Sequence, residues 1–416
     1  MRIDLAGYGP GSSGLTTLKV RQALEEAELI ITSERLAGYV RNLGRTDAGC
    51  TEEILIETNS SEICRILEDT AYDSVVCLMS GDSSFYSGAA PLVTCIEQSP
   101  RLRERNAAIR ILPGISSLSY ACSRLGLSFR QVEVFSAHGR SCDPVRAVMN
   151  GKKSFFLTGG DTTCAKLCGE LTRAGLGELK VTVMENLSCA DERIRTMTAA
   201  QAAGKRFDPL SVLIADAAYV SADLRRGVPG IPDEAFARGK VPMTKRLVRV
   251  SALSLLNPSS GDLCWDLGAG TGSVSVELSA RCRRVISVEK DPAALALLRE
   301  NKERFGAWNM EIVRGEIPEV LSQLPYPDRI FVGGGGRWIR AVLGDASQKC
   351  AEGRKKPAVL ITAVTLETLQ EAVSALEEHG YETEIVQAAV TNILRQGQFH
   401  MMHAHNPVFL ILGSDG

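Results

Sequence analysis

Through the first half of the chain, short apolar runs alternate with amphipathic stretches. RIDLAGYG, LIITS, SVVCLMS, IRILPG, VEVFSAHG, SFFLTG, VTVMENL and SVLIAD are short and rich in apolar and β-branched residues, which predicts strands. Between several of them, TTLKVRQALEEAE and SEICRILEDTAY repeat apolar residues at three- and four-residue spacing, which predicts helices. The strand ends repeatedly carry Gly, Ser or Asp, and ligands bind α/β sheets at such ends. Residues 1–216 therefore predict an α/β domain with length enough for two sheets.

Over 217–242 the pattern weakens. VSADLRRGVPGIPDEAFARGKVP holds three prolines and three glycines, so a linker leading into the second domain is expected there. In 243–416, TKRLVRVSALSLL predicts a helix, and LCWDLG, VISVEK, MEIVRG, RIFVGG and AVLITAV predict strands separated by helical segments. That alternation predicts an open, mostly parallel sheet. YETEIVQAAV and NPVFLILG have no convincing helix between them and suggest an antiparallel pair at one edge. No short-period repeat is present, which argues against a solenoid.

Length and charge narrow the function classes. A chain of 416 residues exceeds one ordinary core and predicts two or three domains. A formal net charge of -2 supplies no bulk attraction to nucleic acid or anionic membranes. No apolar run approaches the ~20 residues that span a bilayer, and MRIDLAGYGPG does not read as a secretory signal. None of the twelve cysteines forms a CxxC pair, so buried reduced thiols in a cytoplasmic protein are expected, not disulfides or a metal centre.

The second half carries the clearer chemistry. After a strand, Gly268, Ala269, Gly270, Thr271 and Gly272 form a turn into a helix, where glycines let the backbone approach a ligand. The spacing is GxGxG, and Ser273 stands where a dinucleotide fingerprint has its third glycine, which argues against an NAD-dependent oxidoreductase. Glu289 ends the next strand, placed to accept both hydroxyls of a ribose. Gly315-Glu316 ends the third, placed to approach an adenine edge, and Asp266 is read as lying inside the first loop, facing a ligand amino group.

This constellation resembles a class I S-adenosylmethionine methyltransferase of Rossmann-like fold with an antiparallel edge strand. With GIPDEAFARGKVPMTK, PDRIFVGGGG, ITAVTLETL and HNPVFLILG in order, it looks like the decarboxylating precorrin C15-methyltransferases of corrin synthesis. Two departures stand out: GEIPE at 315–319 where the family usually has GDAPE, and four glycines, Gly333 to Gly336, where it often has GGSGG. The resemblance implies cofactor contacts at Thr244, Gly268 to Gly272, Glu289 and the backbone near Ile317.

In the first half, GYGPG alone reads as a tight turn. Together with SGDSSFYSG, LPGISSLSYACSRLG, FFLTGGD and MENL it resembles the tetrapyrrole methyltransferase superfamily, and the precorrin C5-methyltransferases in particular. That resemblance implies a two-lobed class III fold holding S-adenosylmethionine at Pro10, Gly81, Asp82, Phe85, Ser116, Ser117, Thr158 and Leu187. Ser83 departs from the Pro that many relatives carry after Gly-Asp.

The paired resemblance implies a bifunctional enzyme that methylates C5 and C15 of a precorrin-6B-type tetrapyrrole and decarboxylates its C12 acetate, giving precorrin-8. It also implies a homo-oligomer. A cobalt-bearing substrate is the alternative, and a non-catalytic methyltransferase-like binding module is the rival from another class. Carboxylates of such a substrate call for local cations, and Arg337, Arg340 and Arg395 are the candidates, with His400 and His138 beside them. His400, His403 and His405 lie on an extended connection that offers no fixed metal geometry, so no metal is expected.

Overall fold

The apolar runs of the first half fold as two five-stranded sheets. The computed structural model describes residues 1–41, 53–137, 142–333, 338–350 and 354–415. Contacts divide the chain into two units, one made of Met1–Val148, Lys152–Thr172 and Gly177–Ala217, the other mainly of Ala218–Gly416.

In the first sheet, β1 (Arg2–Gly7), β2 (Leu29–Thr32), β3 (Glu53–Ile56), β4 (Ser74–Met79) and β5 (Ala108–Leu112) lie in the order β3-β2-β4-β1-β5, all parallel. Alternate residues feed two cores. Ile3, Leu5, Ile31, Val75 and Cys77 pack on one face, while Ala6, Ile30, Val76 and Leu78 pack on the other. A sheet covered on both faces explains the unbroken apolar runs. The second sheet orders β6 (Val132–Ser136), β7 (Lys153–Leu157), β8 (Lys180–Glu185), β9 (Arg193–Thr198) and β10 (Ser211–Ala215) as β6-β7-β10-β8-β9, with only β6 and β7 parallel.

The second unit holds β11 (Leu263–Leu267), β12 (Arg284–Glu289), β13 (Met310–Arg314), β14 (Arg329–Val332), β15 (Ala358–Ala363), β16 (Glu382–Ala388), β17 (Thr391–Gln396), β18 (Phe399–Ala404) and β19 (Val408–Ser414). Seven of these form one sheet, β13-β12-β11-β14-β15-β19-β16. The first five are parallel, and β19 is antiparallel to both neighbours. The antiparallel pair therefore exists, but β16 takes the edge and β19 lies inside. Strand order reverses between β11 and β14, which opens a crevice at the carboxyl ends of the strands. Because β19 runs the opposite way, the residues just before it arrive at that same edge.

The segment NILRQGQFHMMHAH is not the plain connection expected from the sequence. It forms most of the antiparallel hairpin β17–β18, turning at Gly397, and every residue of both strands is exposed. The stretch read as a linker is also built into the second unit. Gly230 and Ile231 donate their amides to Glu277 at 2.8 and 3.0 Å. Arg249, buried on the helix Arg246–Leu256, donates to Glu277 at 2.6 Å, to the Ile231 carbonyl at 2.5 Å and to the Thr244 carbonyl at 2.6 Å. Asn301 bridges the Ala237 amide, at 2.7 Å, and the Thr271 carbonyl, at 2.8 Å. This lead-in segment is thus fastened to the glycine loop. Among the described residues, no helix is long and apolar enough to cross a membrane.

Candidate functional site

The carboxyl edge of the seven-stranded sheet borders a cavity of about 990 Å³. That is the upper end of the ~300–1,000 Å³ usual for small-molecule pockets. The loop after β11 forms one wall. Gly268, Gly270 and Gly272 have φ of 76°, 56° and 79°, a region that disfavours any side chain. Gly268, Ala269, Gly270 and Thr271 line the cavity. Gly272 serves packing: a Cβ there would stand 2.3 Å from Cδ1 of Leu298.

Glu289, at the end of β12, lines the cavity beside that loop. Its carboxylate accepts from the Gly270 amide at 2.9 Å and from the Lys290 and Asp291 amides at 2.7 and 2.9 Å. Three backbone donors thus fix its orientation at the mouth. Glu316 and Ile317 line the cavity beyond the end of the neighbouring strand β13, with Glu316 paired to Lys290 at 2.6 Å. Thr244 also lines the cavity, just before the helix Arg246–Leu256.

Asp266 is placed differently from its expectation. It lies within β11, not in the loop, and is fully buried while still bordering the cavity. One carboxylate oxygen accepts from the Ser275 hydroxyl, which in turn accepts from Ser287 at 2.8 Å. The other oxygen has no partner, and neither does the buried hydroxyl of Thr271. Burial raises the Asp266 carboxyl to about 7 from its ordinary 3.8, against the opposing pull of the Ser275 hydrogen bond. Between those values the folded chain holds a proton that the unfolded chain has released. Stability therefore falls as pH rises from about 4 to about 7 and levels off above. Urea unfolding at pH 5 and pH 8, without ligand, should show this loss, and Asp266→Asn should remove Asp266's contribution to it.

Two of the cations expected from the sequence, Arg340 and Arg395, are not at the cavity. Arg340 is not among the lining residues and is spent on ion pairs with Glu371, at 2.7 Å, and Glu378. Arg395 sits on the exposed hairpin opposite His400, where its Nε donates to the Gly397 carbonyl at 3.1 Å; neither residue lines the cavity. Arg337 and His138 lie outside the described residues. Arg238, on the lead-in segment, and Lys245 and Arg246, at the start of the helix Arg246–Leu256, do line it. Arg238 fell in the stretch read as a linker, and Lys245 and Arg246 in the helix predicted after it, so neither reading marked them as a cavity wall. His405, Asn392 and Asn406 line the wall beside β19. Among the described residues, no group of three or more His, Cys, Asp or Glu is arranged to hold a metal.

In the first unit, three glycines converge where β1, β4 and β5 end. A Cβ on Gly114 would lie 2.2 Å from the Gly81 carbonyl and 2.4 Å from that of Gly7. Gly9 and Gly81 exchange backbone hydrogen bonds at 3.0 and 2.9 Å, which ties the GYGPG turn to SGDSS beside Pro10. Asp82 holds its own loop, accepting from the Ser84 amide and hydroxyl at 2.9 and 2.8 Å. Ser116 caps the helix Ser117–Leu125 by accepting from the Ser119 amide at 3.0 Å. Phe85 packs against the cluster that contains Leu187. Thr158 donates to the Ser211 carbonyl at 2.6 Å. Asn186 and Ser188 flank Leu187 with φ of 49° and 65°, a local strain of the kind found at ligand loops.

A family model of tetrapyrrole (corrin/porphyrin) methylases matches residues 2–203, and a precorrin methyltransferase domain matches 234–412. The probable cobalt-precorrin-6B C(15)-methyltransferase (decarboxylating) of Pyrobaculum calidifontis is 45% identical over 188 residues, 44% of this chain and 94% of that protein. The chain belongs to the precorrin methyltransferase family. A precorrin-6Y C(5,15)-methyltransferase [decarboxylating] of Sinorhizobium sp is 36% identical over 270 residues, 63% of this chain, and the match spans 62% of that relative's length. A solved structure of precorrin-6y C5,15-methyltransferase from Geobacter metallireducens GS-15 is 36% identical, covering 45% of this chain and 97% of its own, at a TM-score of 0.42. For a precorrin methyltransferase the two units have the expected α/β character: an all-parallel and a mostly antiparallel sheet in the first, and a parallel core with the antiparallel β19 and its neighbour β16 at one side in the second.

Proposed function

We propose that this chain is a bifunctional precorrin methyltransferase of corrin synthesis, with its C5-methylating site in residues 1–216 and its C15-methylating, decarboxylating site in 243–416, joined by 217–242. The carrying observation is the cavity at the carboxyl edge of the seven-stranded sheet, where the glycine loop, Glu289 and two unsatisfied buried oxygens meet. In this reading each unit holds its own S-adenosylmethionine. When bound, the cofactor supplies an electrophilic sulfonium methyl group. Glu289, oriented by three amides, accepts ribose hydroxyls; the unpartnered oxygens of Asp266 and Thr271 accept from an ammonium; Ile317 and Val288 enclose an adenine. In the first unit, Pro10, Gly81, Asp82, Phe85, Ser116, Ser117, Thr158 and Leu187 hold the second cofactor, largely through backbone groups.

The chain's own task is alignment, since an electron-rich tetrapyrrole supplies the nucleophilic carbon. Arg238, Lys245 and Arg246 make no ion pair or side-chain hydrogen bond among the described residues and replace Arg340 as the carboxylate-binding cations. Lys245→Ala with Arg246→Ala should raise the substrate KM about tenfold, the effect of roughly 1.4 kcal/mol. S-adenosylhomocysteine affinity should stay unchanged. Equal loss of both affinities would remove these residues from the substrate side.

A cytoplasmic homo-oligomer belongs to the same reading. Ile393, Phe399 and Met402 stand exposed on the β17–β18 hairpin, which supports self-association. A cobalt-bearing substrate is the second reading, favoured by the Pyrobaculum relative's name. The test uses the whole chain with precorrin-6B and, separately, cobalt-precorrin-6B. Two methyl groups transferred and one carbon dioxide released per substrate are expected; methyl transfer without carbon dioxide release would overturn the C15 assignment.

A further inference from the structure

Decarboxylation of an acetate side chain leaves an electron pair on the methylene carbon, and that carbon must gain a proton to become a methyl group. The cavity of the second unit presents one imidazole in a suitable place. His405 precedes β19, the strand that runs opposite to its parallel neighbours, so it reaches the carboxyl edge where the cofactor loops gather. Its amide donates to the Val390 carbonyl at 2.9 Å, which fixes the backbone on the cavity wall. Its ring Nε2 lies 3.0 Å from Nδ2 of Asn392 on β17.

An asparagine suits both protonation states of that ring. With the amide oxygen turned to the ring, it accepts from Nε2–H of the imidazolium and keeps that bond in the neutral Nε2–H tautomer left when Nδ1 gives up its proton. Asn392 thereby occupies Nε2 and leaves Nδ1 as the transferring nitrogen. Val390, Val408 and Val364 line the same cavity, with Asn392 and Asn406 as the polar groups nearest His405 in the chain and the hairpin. Of the cavity's other polar groups, Lys245, Arg238 and Arg246 are the carboxylate-binding cations of the proposed function, and Asp266 is bonded to Ser275 at the glycine loop.

We propose that His405, positioned by Asn392, is the proton donor that completes the decarboxylation. The C–C bond to the carboxylate breaks and its electron pair stays on the methylene carbon and the conjugated ring. Carbon dioxide leaves, the imidazolium gives its proton to that carbon to form the methyl group, and the neutral imidazole recovers a proton from water. The inference rests on the C15 site being the decarboxylating one.

The full chain, with precorrin-6B labelled in its acetate carboxyl, provides the test. His405→Gln should lower kcat for labelled carbon dioxide release by about 100-fold or more. Substrate KM and S-adenosylhomocysteine affinity should stay within about twofold of the parent. Asn392→Ala, which keeps the imidazole but frees it, should give a smaller fall in kcat with the same unchanged KM. A kcat for His405→Gln within about threefold of the parent overturns the assignment. So does a fall in kcat matched by loss of cofactor binding, which would mark a structural role. If the unaltered chain releases no carbon dioxide while both its sites bind S-adenosylhomocysteine, the decarboxylating reading itself is refuted and this assignment with it.

Discussion

Replacing Glu277 with Ala should destabilise the second unit by about 3–5 kcal/mol, the range for removing one partner of a buried ion pair. Glu277 is 3% exposed and Arg249 is fully buried. The carboxylate accepts from Arg249 at 2.6 Å and from the amides of Gly230 and Ile231. Its loss leaves a guanidinium with only Asp233, at 3.2 Å, as an anionic partner, and leaves two buried amides unsatisfied. Because those amides belong to the lead-in segment, the wall bearing Arg238, Lys245 and Arg246 should loosen before the sheet does. All three tryptophans, Trp265, Trp308 and Trp338, lie in the second unit, so tryptophan fluorescence during urea unfolding reads that unit alone. Glu277→Leu combined with Arg249→Met should recover only part of the loss: no buried charge remains, but the Gly230 and Ile231 amides stay without their acceptor. A midpoint for Glu277→Ala equal to that of the parent would show that the network adds nothing to stability.

The sequence was most legible where burial is most complete. LCWDLG and SVVCLMS lie in strands covered on both faces, so their apolar character is continuous and survives in the one-dimensional pattern. The segments that escaped are exposed: β3 and β9 lie at sheet edges, and the β17–β18 hairpin has no core face at all, so none shows the alternation that marks a half-buried strand. The glycine loop, Glu289 and Glu316 were legible because backbone geometry at strand ends demands particular residues. The choice of cations was not. Arg340 looks as free as Arg246 in the sequence, and only the packing of Ile339–Cys350 beside Leu366–Glu378 gives it Glu371 and Glu378, seven residues apart on one helix face. The same limit applies to Asp266, whose position one residue inside β11 turns a solvated loop acid into a buried one.

Gly114→Ala should abolish C5 methylation and leave C15 methylation and carbon dioxide release intact. The added Cβ would stand 2.2 Å from the Gly81 carbonyl oxygen and 2.4 Å from that of Gly7. Both are backbone atoms, so no side chain can swing aside to make room. Gly7 is constrained from the other direction, since a Cβ there would meet the Gly81 oxygen at 2.6 Å and the Ser83 amide at 2.8 Å. The ends of β1, β4 and β5 must therefore part, at a strain of about 1–3 kcal/mol, and carry Gly81, Asp82 and Ser116 out of register. In the full chain, titration with S-adenosylhomocysteine should fall from two sites to one, with the affinity of the remaining site unchanged. Gly14→Ala is the matched control in the same unit: its nearest neighbour is the Ser12 hydroxyl at 3.6 Å, and it should keep both sites. Two sites of unaltered affinity in Gly114→Ala would remove the convergent glycines from the cofactor's path. One site already in the parent chain would remove the amino-terminal cofactor site altogether.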